Sequence, residues 1–357
     1  MIKNIVILCG GQSTEHEISL RSAVSVINGL ESSSADVTVY FIDKEGRFVP
    51  LGNLDHVEKP EDLIRKSSQS KLESIGSFCR HLSSLKDPMI LPVLHGQTGE
   101  DGQIQGFLQT LGLPYVGCGI TSSALCMDKA LMNQVFLACG LPEARFIVIK
   151  REDPENADRD ALLQRVREEL GLPCFVKPAN NGSSVGVNKA DETNFIAALD
   201  EAFTYDHKIV IEEMISGHEV EVSVLGNEDA RASKPGSYTS SHELLDYEAK
   251  YLDRAIIENI PHPMTEEQYQ KCQKLALLAY HAAGCEGFAR VDLFFGADGN
   301  FYVNEINTFP GMTVTSLAPK LWTALTDMTF AQYLNALMDY AEKSYARRNS
   351  IKNSWEI

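Results

Sequence analysis

The sequence lacks any run of about 18 consecutive apolar residues, which predicts that no helix spans a membrane. It has no CxxC pair and no two histidines spaced as i and i+4, so a zinc site is not expected. The GxxxxGK[ST] phosphate loop and the GxGxxG dinucleotide fingerprint are also missing. Basic residues are scarce, with 32 Lys and Arg against 49 Asp and Glu and a net charge of −17. Such a chain has no general attraction to nucleic acid, and an anionic substrate would need local clusters of Lys and Arg.

The first residues, MIKNIVILCGGQ, combine one Lys with a short apolar run and have no small-residue cleavage site. They predict a buried strand rather than a signal peptide. Without an export signal, we expect the eight cysteines to be reduced thiols in the cytoplasm. Hydrophobic residues make up 44% and charged residues 23% of the 357 positions, which is ordinary for a globular protein of two or three domains.

Strands alternate with helices along much of the chain, which predicts an α/β fold whose N-terminal sheet is parallel and covered by helices on both faces. We expect a first α/β domain at 1–120, a smaller α+β unit at 121–208 and a third unit at 209–357. Residues 236–262 have little periodicity and predict a long loop, which in a compact enzyme is usually a functional lid or disordered. Residues 52–86 match no firm pattern, and we assign them no role.

A hairpin predicted over 289–307 is the strongest local signal. Strand side chains alternate, so Arg290 and Asp292 share one face, and Glu305 and Asn307 share a face of the partner strand. If all four lie on the same face, their carboxylate and amide oxygens suit Mg²⁺ bridging phosphates. The opposite face would then supply core residues, namely Val291, Leu293, Phe295, Tyr302 and Ile306. The alternative is a solvated strand face on which Arg290 pairs with a carboxylate.

Two further segments suggest nucleotide contacts. In FVKPANNGSSVG (175–186), Lys177 ends a buried strand before a Gly/Ser loop, and such a loop can hold phosphates, or it can be a plain turn with a surface lysine. In IVIEEMISGHEVEV (209–222), the strand ends at Glu212 and the chain bends at Gly217. That bend could offer backbone groups to an adenine, with Glu219 near ribose hydroxyls, or the segment is an amphipathic strand with solvated acids.

Three other features are ambiguous on their own. Gly10 and Gly11 end the first strand where α/β sheets bind ligands, and Glu15 could bind an ammonium group or only stabilise the helix dipole. His95 either lines the site or is held within its loop. The hexamer DYEAKY (246–251) suits a closing clamp, but a lone hexamer of this kind is more often a solvated loop.

Eight motifs occur in one order, namely GGxSxEHEISL, LHGxxGEDG, MDK, VKPxxxGSSVGV, EExxxGxE, YEAKY, ARVD and NEINTFPGMTxxSL. From about residue 4 to residue 320 the chain therefore resembles the D-alanine–D-alanine ligases of the ATP-grasp superfamily. The resemblance implies three α/β domains with ATP between the central and C-terminal ones. It implies ATP-dependent joining of D-alanine to D-alanine through D-alanyl phosphate for peptidoglycan synthesis, by a cytoplasmic homodimer that needs no nucleic acid and no membrane.

The same resemblance implies roles for individual residues. It implies ATP contacts at Lys129, Lys177, Ser183, Glu212, Ile215, Glu219 and Lys250. It implies a pair of Mg²⁺ or Mn²⁺ ions held by Asp292, Glu305 and Asn307, with Glu305 bridging. It implies substrate and oxyanion contacts at Glu15, His95, Arg290, Gly311, Ser316 and Leu317, and a hydrogen-bonded triad of Ser183, Tyr251 and Glu15.

Two other functions stay open at this point. A ligase that makes D-alanyl-D-lactate or D-alanyl-D-serine would share the mechanism, but lactate-using members tend to carry Phe where this chain has Tyr251. A non-catalytic nucleotide-binding module would be expected to lose metal ligands, and here Asp292, Glu305 and Asn307 are all present.

Overall fold

A computed structural model describes residues 2–30, 34–182, 184–239 and 257–352 of the chain. Three of the expected site residues, Ser183, Lys250 and Tyr251, lie outside these ranges. Most of the expected closing loop also lies outside them. Within the described ranges, every helix is too short or too polar to cross a membrane.

The N-terminal unit is built on a four-stranded sheet in the order β3-β2-β1-β4. Its strands are β1 (Asn4–Gly10), β2 (Asp36–Ile42), β3 (Phe48–Asn53) and β4 (Pro88–Val93). Strands β1, β2 and β4 are parallel, as expected, whereas β3 is an antiparallel edge strand that enters the unpatterned segment. Its helices are α1 (His16–Gly29), a 3-10 turn (Pro60–Leu63), α2 (Lys71–Ser84) and α3 (Gln103–Thr110). Strand β1 is almost wholly apolar because helices cover both of its faces.

The central unit holds an antiparallel sheet in the order β5-β8-β6-β7. Its strands are β5 (Phe146–Lys150), β6 (Cys174–Pro178), β7 (Asn188–Ala190) and β8 (Lys208–Glu213). Its helices are α4 (Ile120–Met127), α5 (Lys129–Ala138), α6 (Pro154–Ala157), α7 (Arg159–Glu169) and α8 (Phe195–Tyr205). A boundary between residues 208 and 209 would cut β8 away from β5 and β6, to which it is hydrogen-bonded. We propose instead that the central unit ends after Glu213.

The C-terminal unit holds a second antiparallel sheet in the order β10-β9-β13-β14. Its strands are β9 (Gly217–Leu225), β10 (Arg231–Ala232), β13 (Phe288–Gly296) and β14 (Phe301–Asn307), while β11 (Ser237–Thr239) and β12 (Ile257–Asn259) form a separate pair. Its helices are α9 (Glu266–Ala282), α10 (Leu317–Thr323) and α11 (Phe330–Asn349). One face of the sheet packs against α9 in a buried apolar cluster, so the other face is available for polar side chains.

The register of β13 against β14 decides which side chains share that polar face. Arg290 pairs with Asn307, and Asp292 pairs with Glu305, so the predicted common face is confirmed. The ladder then shifts at a bulge, and Val303 rather than Asn304 lies opposite Leu293. The prediction that Tyr302 packs in the core is wrong, because the extra residue moves Val303 and Phe301 to the core side.

Helix α11 packs against the N-terminal unit. Its Tyr333, Leu334 and Leu337 share one buried cluster with Ile5 of β1 and Val26 of α1. The fit against α1 is close, since a Cβ added at Gly29 would lie 2.8 Å from a ring carbon of Phe330. The far end of the chain therefore completes the core of the first domain.

Candidate active site

The polar face of β9, β13 and β14 carries a buried ion-pair network centred on Asp292. Two nitrogens of Arg290 donate to the two Asp292 carboxylate oxygens at 2.7 and 2.6 Å. Glu221 on β9 lies 3.1 Å from Arg290 Nε, and Asn307 Nδ2 donates to Asp292 Oδ2 at 3.1 Å. Asp292 is only 1% exposed. One guanidinium thus faces two buried carboxylates.

The pKa values in this network reflect that imbalance. Burial raises the pKa of Asp292 to about 8, and Glu221 adds to the rise, although Arg290 opposes it. Burial works against the charge of Arg290, but Asp292 and Glu221 outweigh it and hold its pKa well above the ordinary value. A further positive charge on this face would favour the ionised form of Asp292.

The donors on this face fit a hard divalent cation. Asp292 and Glu305 offer carboxylates and Asn307 offers an amide oxygen, which are the ligand types that Mg²⁺ and Mn²⁺ prefer. Within the described ranges, no three His, Cys, Asp or Glu side chains are arranged as a metal site by themselves. The amide and the oxygens of a bound phosphate would therefore have to complete the coordination.

Two lysines approach from the central unit. Lys177 on β6 contacts Glu212 on β8 at 2.5 Å, and the other Glu212 oxygen accepts from Asn133 Nδ2 at 3.2 Å. Burial alone would lower the pKa of Lys177, but the Glu212 carboxylate outweighs it and the pKa is raised. Lys129, at the start of α5, donates to the Asn181 carbonyl at 2.9 Å and lies 3.2 Å from Glu305 Oε2. Lys129 therefore connects the loop that follows β6 with strand β14.

The link between β8 and β9 brings together the three residues expected at the base and ribose. Glu212 lies near the end of β8, Ile215 is half-buried in the connection, and Glu219 lies near the start of β9. Glu219 Oε1 accepts from Asn304 Nδ2 at 3.0 Å. The bulge in β14 is what adds Asn304 to the polar face, because a bulge places two neighbouring side chains opposite one partner residue.

The edge of the N-terminal sheet faces these two sheets through Glu15. This residue stands directly before α1. A Cβ added at Gly96, which has a φ of 67°, would lie 2.5 Å from Glu15 Oε2, and one at Gly182 would lie 3.0 Å from the same atom. One cleft is lined by Glu15, Gly96, Lys129, Gly182, Glu305 and Asn307. Residues expected to bind substrate, phosphate and metal thus share a cleft.

His95 is buried and holds neighbouring loops together. Its Nδ1 lies 3.0 Å from the Phe309 carbonyl and its Nε2 lies 2.8 Å from Ser22 Oγ, which also accepts from Met312 N at 3.2 Å. Burial lowers the pKa of His95, but Glu100, whose carboxylate is 3.6 Å from Nδ1, helps to raise it overall. The structure therefore places His95 as a support for the loop that contains Gly311.

The three remaining expected residues lie in that loop and at the start of α10. Ser316 precedes α10 and exchanges hydrogen bonds with Thr313, including a 2.7 Å contact between the two hydroxyls. A Cβ added at Gly311 would lie 2.9 Å from Ser316 Oγ, and Leu317 is buried. The backbone at Gly311 and the Ser316 hydroxyl are thus held close together.

Several side chains of the site were missed from the sequence. Glu221 could have been found, since it shares a strand face with Glu219 by simple alternation. Asn133, Ser22 and Asn304 gave no signal, because their positions depend on helix packing and on the bulge.

A lysine-bearing antiparallel sheet opposite a carboxylate-bearing one, next to an N-terminal α/β domain, defines an ATP-grasp ligase. Solved structures support this class: the D-alanine-D-alanine ligase from Coxiella burnetii matches with a TM-score of 0.78 and 31% identity, covering 98% of this chain and 96% of that one. The VanG D-Ala:D-Ser ligase from Enterococcus faecalis matches with a TM-score of 0.77 and 29% identity, covering 96% and 100%.

Sequence comparison identifies the family. Residues 4–118 match the family model described as D-ala D-ala ligase N-terminus, and residues 135–339 match D-ala D-ala ligase C-terminus. A D-alanine–D-alanine ligase of Finegoldia magna is 38% identical over 99% of both chains, and one of Caldicellulosiruptor bescii is 40% identical over 99% of this chain and 98% of its own. The chain belongs to the D-alanine–D-alanine ligase family, and it is an ATP-dependent ligase that works with a divalent metal.

Proposed function

We propose that the protein joins two D-alanine molecules to D-alanyl-D-alanine, with ATP converted to ADP and phosphate, for cell wall synthesis. One observation carries the proposal: Lys129 lies 3.2 Å from Glu305, so a cation of the central unit and a carboxylate of the C-terminal sheet face one cleft. That arrangement can hold a triphosphate between positive side chains and a metal. Full-length similarity to named D-alanine–D-alanine ligases supports the choice of substrate.

The reaction needs an activated carboxylate, because a free carboxylate is a poor acyl donor at neutral pH. Transfer of the γ-phosphoryl group to the first D-alanine gives an acyl phosphate, which the amine of the second attacks before phosphate leaves. Lys177 and Lys129 neutralise phosphate charge, and Glu15 holds the ammonium group of the first D-alanine. A bound divalent metal would supply further charge neutralisation at the phosphoryl oxygens.

Arg290 and the Gly311 amide are proposed to stabilise the tetrahedral oxyanion. Preorganised donors of this kind are worth ~3–4 kcal/mol each when they point at the developing charge. Asp292 and Glu221 fix the guanidinium from one side, and the contacts of Ser22 and His95 fix the loop that presents the amide. Ser316 and Leu317 are proposed to anchor the carboxylate of the second D-alanine.

The proposal also includes a pair of Mg²⁺ or Mn²⁺ ions, a homodimer, a cytoplasmic location, and the expected roles of Ser183, Lys250 and Tyr251. The donor set of Asp292, Glu305 and Asn307 supports a metal on the carboxylate face. A titration with Mn²⁺ in the presence of ADP measures the number of metal ions bound. Light scattering measures the oligomeric state.

The decisive experiment measures ADP release and product mass with D-alanine, L-alanine, D-serine and D-lactate as separate second substrates. We expect ADP release that depends on D-alanine and a product with the mass of the dipeptide. Preferred incorporation of D-serine or D-lactate would replace the proposal by the corresponding alternative ligase. ADP release that is independent of any amino acid would argue against a ligase altogether.

A further inference from the structure

A second concave site lies in the N-terminal unit, separate from the cleft between the sheets. It is placed at the carboxyl ends of the parallel strands, since Gly11 follows β1, Gly46 follows β2 and Leu94 follows β4. Open α/β sheets bind ligands at this edge. We propose that this cavity binds a small monocarboxylate with a compact apolar body.

The walls of the cavity are apolar. Ile42, Phe48, Leu94 and Ile104 are buried in the core cluster beneath it, and Ile75 and Phe107 form its partly buried rim. Its volume is about 130 Å³. An engineered cavity of ~150 Å³ with similar lining binds benzene, so this one has room for one small ring or a branched aliphatic group.

A lysine at the mouth sets the charge of the ligand. Lys71 Nζ donates to the neutral Gln12 Oε1 at 2.6 Å, and none of the described carboxylates lies within ion-pair distance of it. Lys44, in the same unit, is instead paired with Glu17 at 2.7 Å. Gly46, with a φ of 78°, brings its backbone against this pair, since a Cβ there would lie 2.6 Å from Lys71 Nζ. An uncompensated ammonium beside an apolar cavity favours an amphipathic anion.

The same loops connect the cavity to the cleft. Gly11 and Thr98 line the cavity, and Glu15 and Gly96 lie a few residues away on those two loops. Thr98 has a φ of 67°, an uncommon conformation for a β-branched residue, so this loop is already strained at the cavity wall. We expect occupancy to change the KM for the first D-alanine, an effect that rests on the proposed function.

Calorimetry with benzoate as the probe tests the site without turnover. Benzamide, the neutral isostere, is the comparison ligand. Both titrations are made with ADP and D-alanine present at saturation. We expect Lys71→Met to weaken benzoate binding about tenfold while benzamide changes less than about twofold. Lys44→Met is the matched control and should leave both unchanged. Ile75→Phe, which fills the rim, should weaken both ligands without removing the charge.

Three results would overturn the site: no benzoate binding to the wild type, equal benzoate binding by the wild type and Lys71→Met, or no loss of either ligand in Ile75→Phe. The outcome of the binding test does not depend on whether the protein catalyses dipeptide formation. If the wild type failed to make the dipeptide but bound benzoate through Lys71, the proposed function would fail and the site would stand. If it made the dipeptide with a benzoate-independent KM, only the coupling would be lost.

Discussion

The two antiparallel sheets that face each other across the cleft differ in how their buried charges are balanced. On the central sheet, Lys177 is paired with Glu212, so its charge is balanced within the protein. On the C-terminal sheet, Arg290 alone faces Asp292 and Glu221, while Glu219 and Glu305 lie on the same face. The first sheet can exchange an internal counter-ion for a phosphate. On the second sheet the four carboxylates outnumber Arg290 and Lys129, which lies 3.2 Å from Glu305, so a further cation would be favourable there. Under the proposed function, the central sheet is the phosphate side of the site and the C-terminal sheet is its metal side.

The largest effect should come from removing charge on the metal side. Glu305→Gln should lower kcat by ~10³-fold or more, because a charged ligand that stabilises the phosphoryl transition state is worth several kcal/mol. Glu305 is 29% exposed, so the variant should fold normally. Steady-state ADP release at increasing Mg²⁺ measures the loss, and Glu213→Gln is the control, since Glu213 pairs with Arg145 outside the cleft. Turnover within about threefold of the wild type would contradict the proposal that a metal binds on this face.

On the phosphate side, Lys177→Met should impair both ATP binding and stability. Glu212 is 5% exposed and would lose its cation, and breaking a buried pair costs ~3–5 kcal/mol. The double variant Lys177→Met/Glu212→Gln should recover stability in urea unfolding without recovering ATP binding. Lys189→Met, on β7 of the same sheet, should behave like the wild type. If Lys177→Met and Lys189→Met bound ATP equally well, Lys177 would not belong to the phosphate side.

The next prediction concerns the pH dependence of stability. Both carboxylate oxygens of Glu143 are buried without hydrogen-bond partners among the described residues. Burial, and to a lesser degree Glu212, raises the pKa of Glu143 to about 8. The folded state therefore holds a proton that the unfolded state has released, so stability falls as pH rises from the ordinary Glu range through about 8. Thermal unfolding between pH 6 and 9 should show a shallower decline for Glu143→Gln, and parallel curves would contradict this.

The smallest effect concerns the residue that the bulge adds to the metal side. Asn304→Ala removes the 3.0 Å hydrogen bond to Glu219. Such a bond is worth ~0.5–1.5 kcal/mol, so the KM for ATP should rise about two- to tenfold while kcat is unchanged. Asn300→Ala, in the turn of the same hairpin, should leave the KM unaltered. A change in kcat with no change in KM would show that Glu219 is not a ground-state nucleotide contact.

The sequence predicted most where alternation alone decides the outcome. Even spacing places Arg290 with Asp292 on one strand face and Glu305 with Asn307 on another. The register of the two strands is what puts all four on a common face. Tyr302 was misplaced because a bulge leaves no signature in a single sequence. Strand β8 was separated from its sheet because nothing in its own residues shows that it pairs with two strands earlier in the chain.

Long-range contacts account for the other omissions. The link from Ser22 through His95 to the 309–312 loop joins residues 214 and 290 positions apart, and only the folded chain brings them together. The position of α11 on the first domain is equally invisible in an amphipathic pattern, because such a pattern shows that a helix has an apolar face but not what that face covers.

That docking of α11 has a consequence for the newly made chain. A ribosome adds about 5–20 residues per second, so the roughly 210 residues between the end of the first domain and Phe330 take about 10–40 s to emerge. During this interval the first domain is complete in its strands but has an uncovered apolar surface where Tyr333, Leu334 and Leu337 will pack. Pulse-labelled nascent chains can be assayed for binding to a chaperone that recognises apolar surface. We expect the chaperone to bind once the first domain has been made and to be released once α11 has been synthesised.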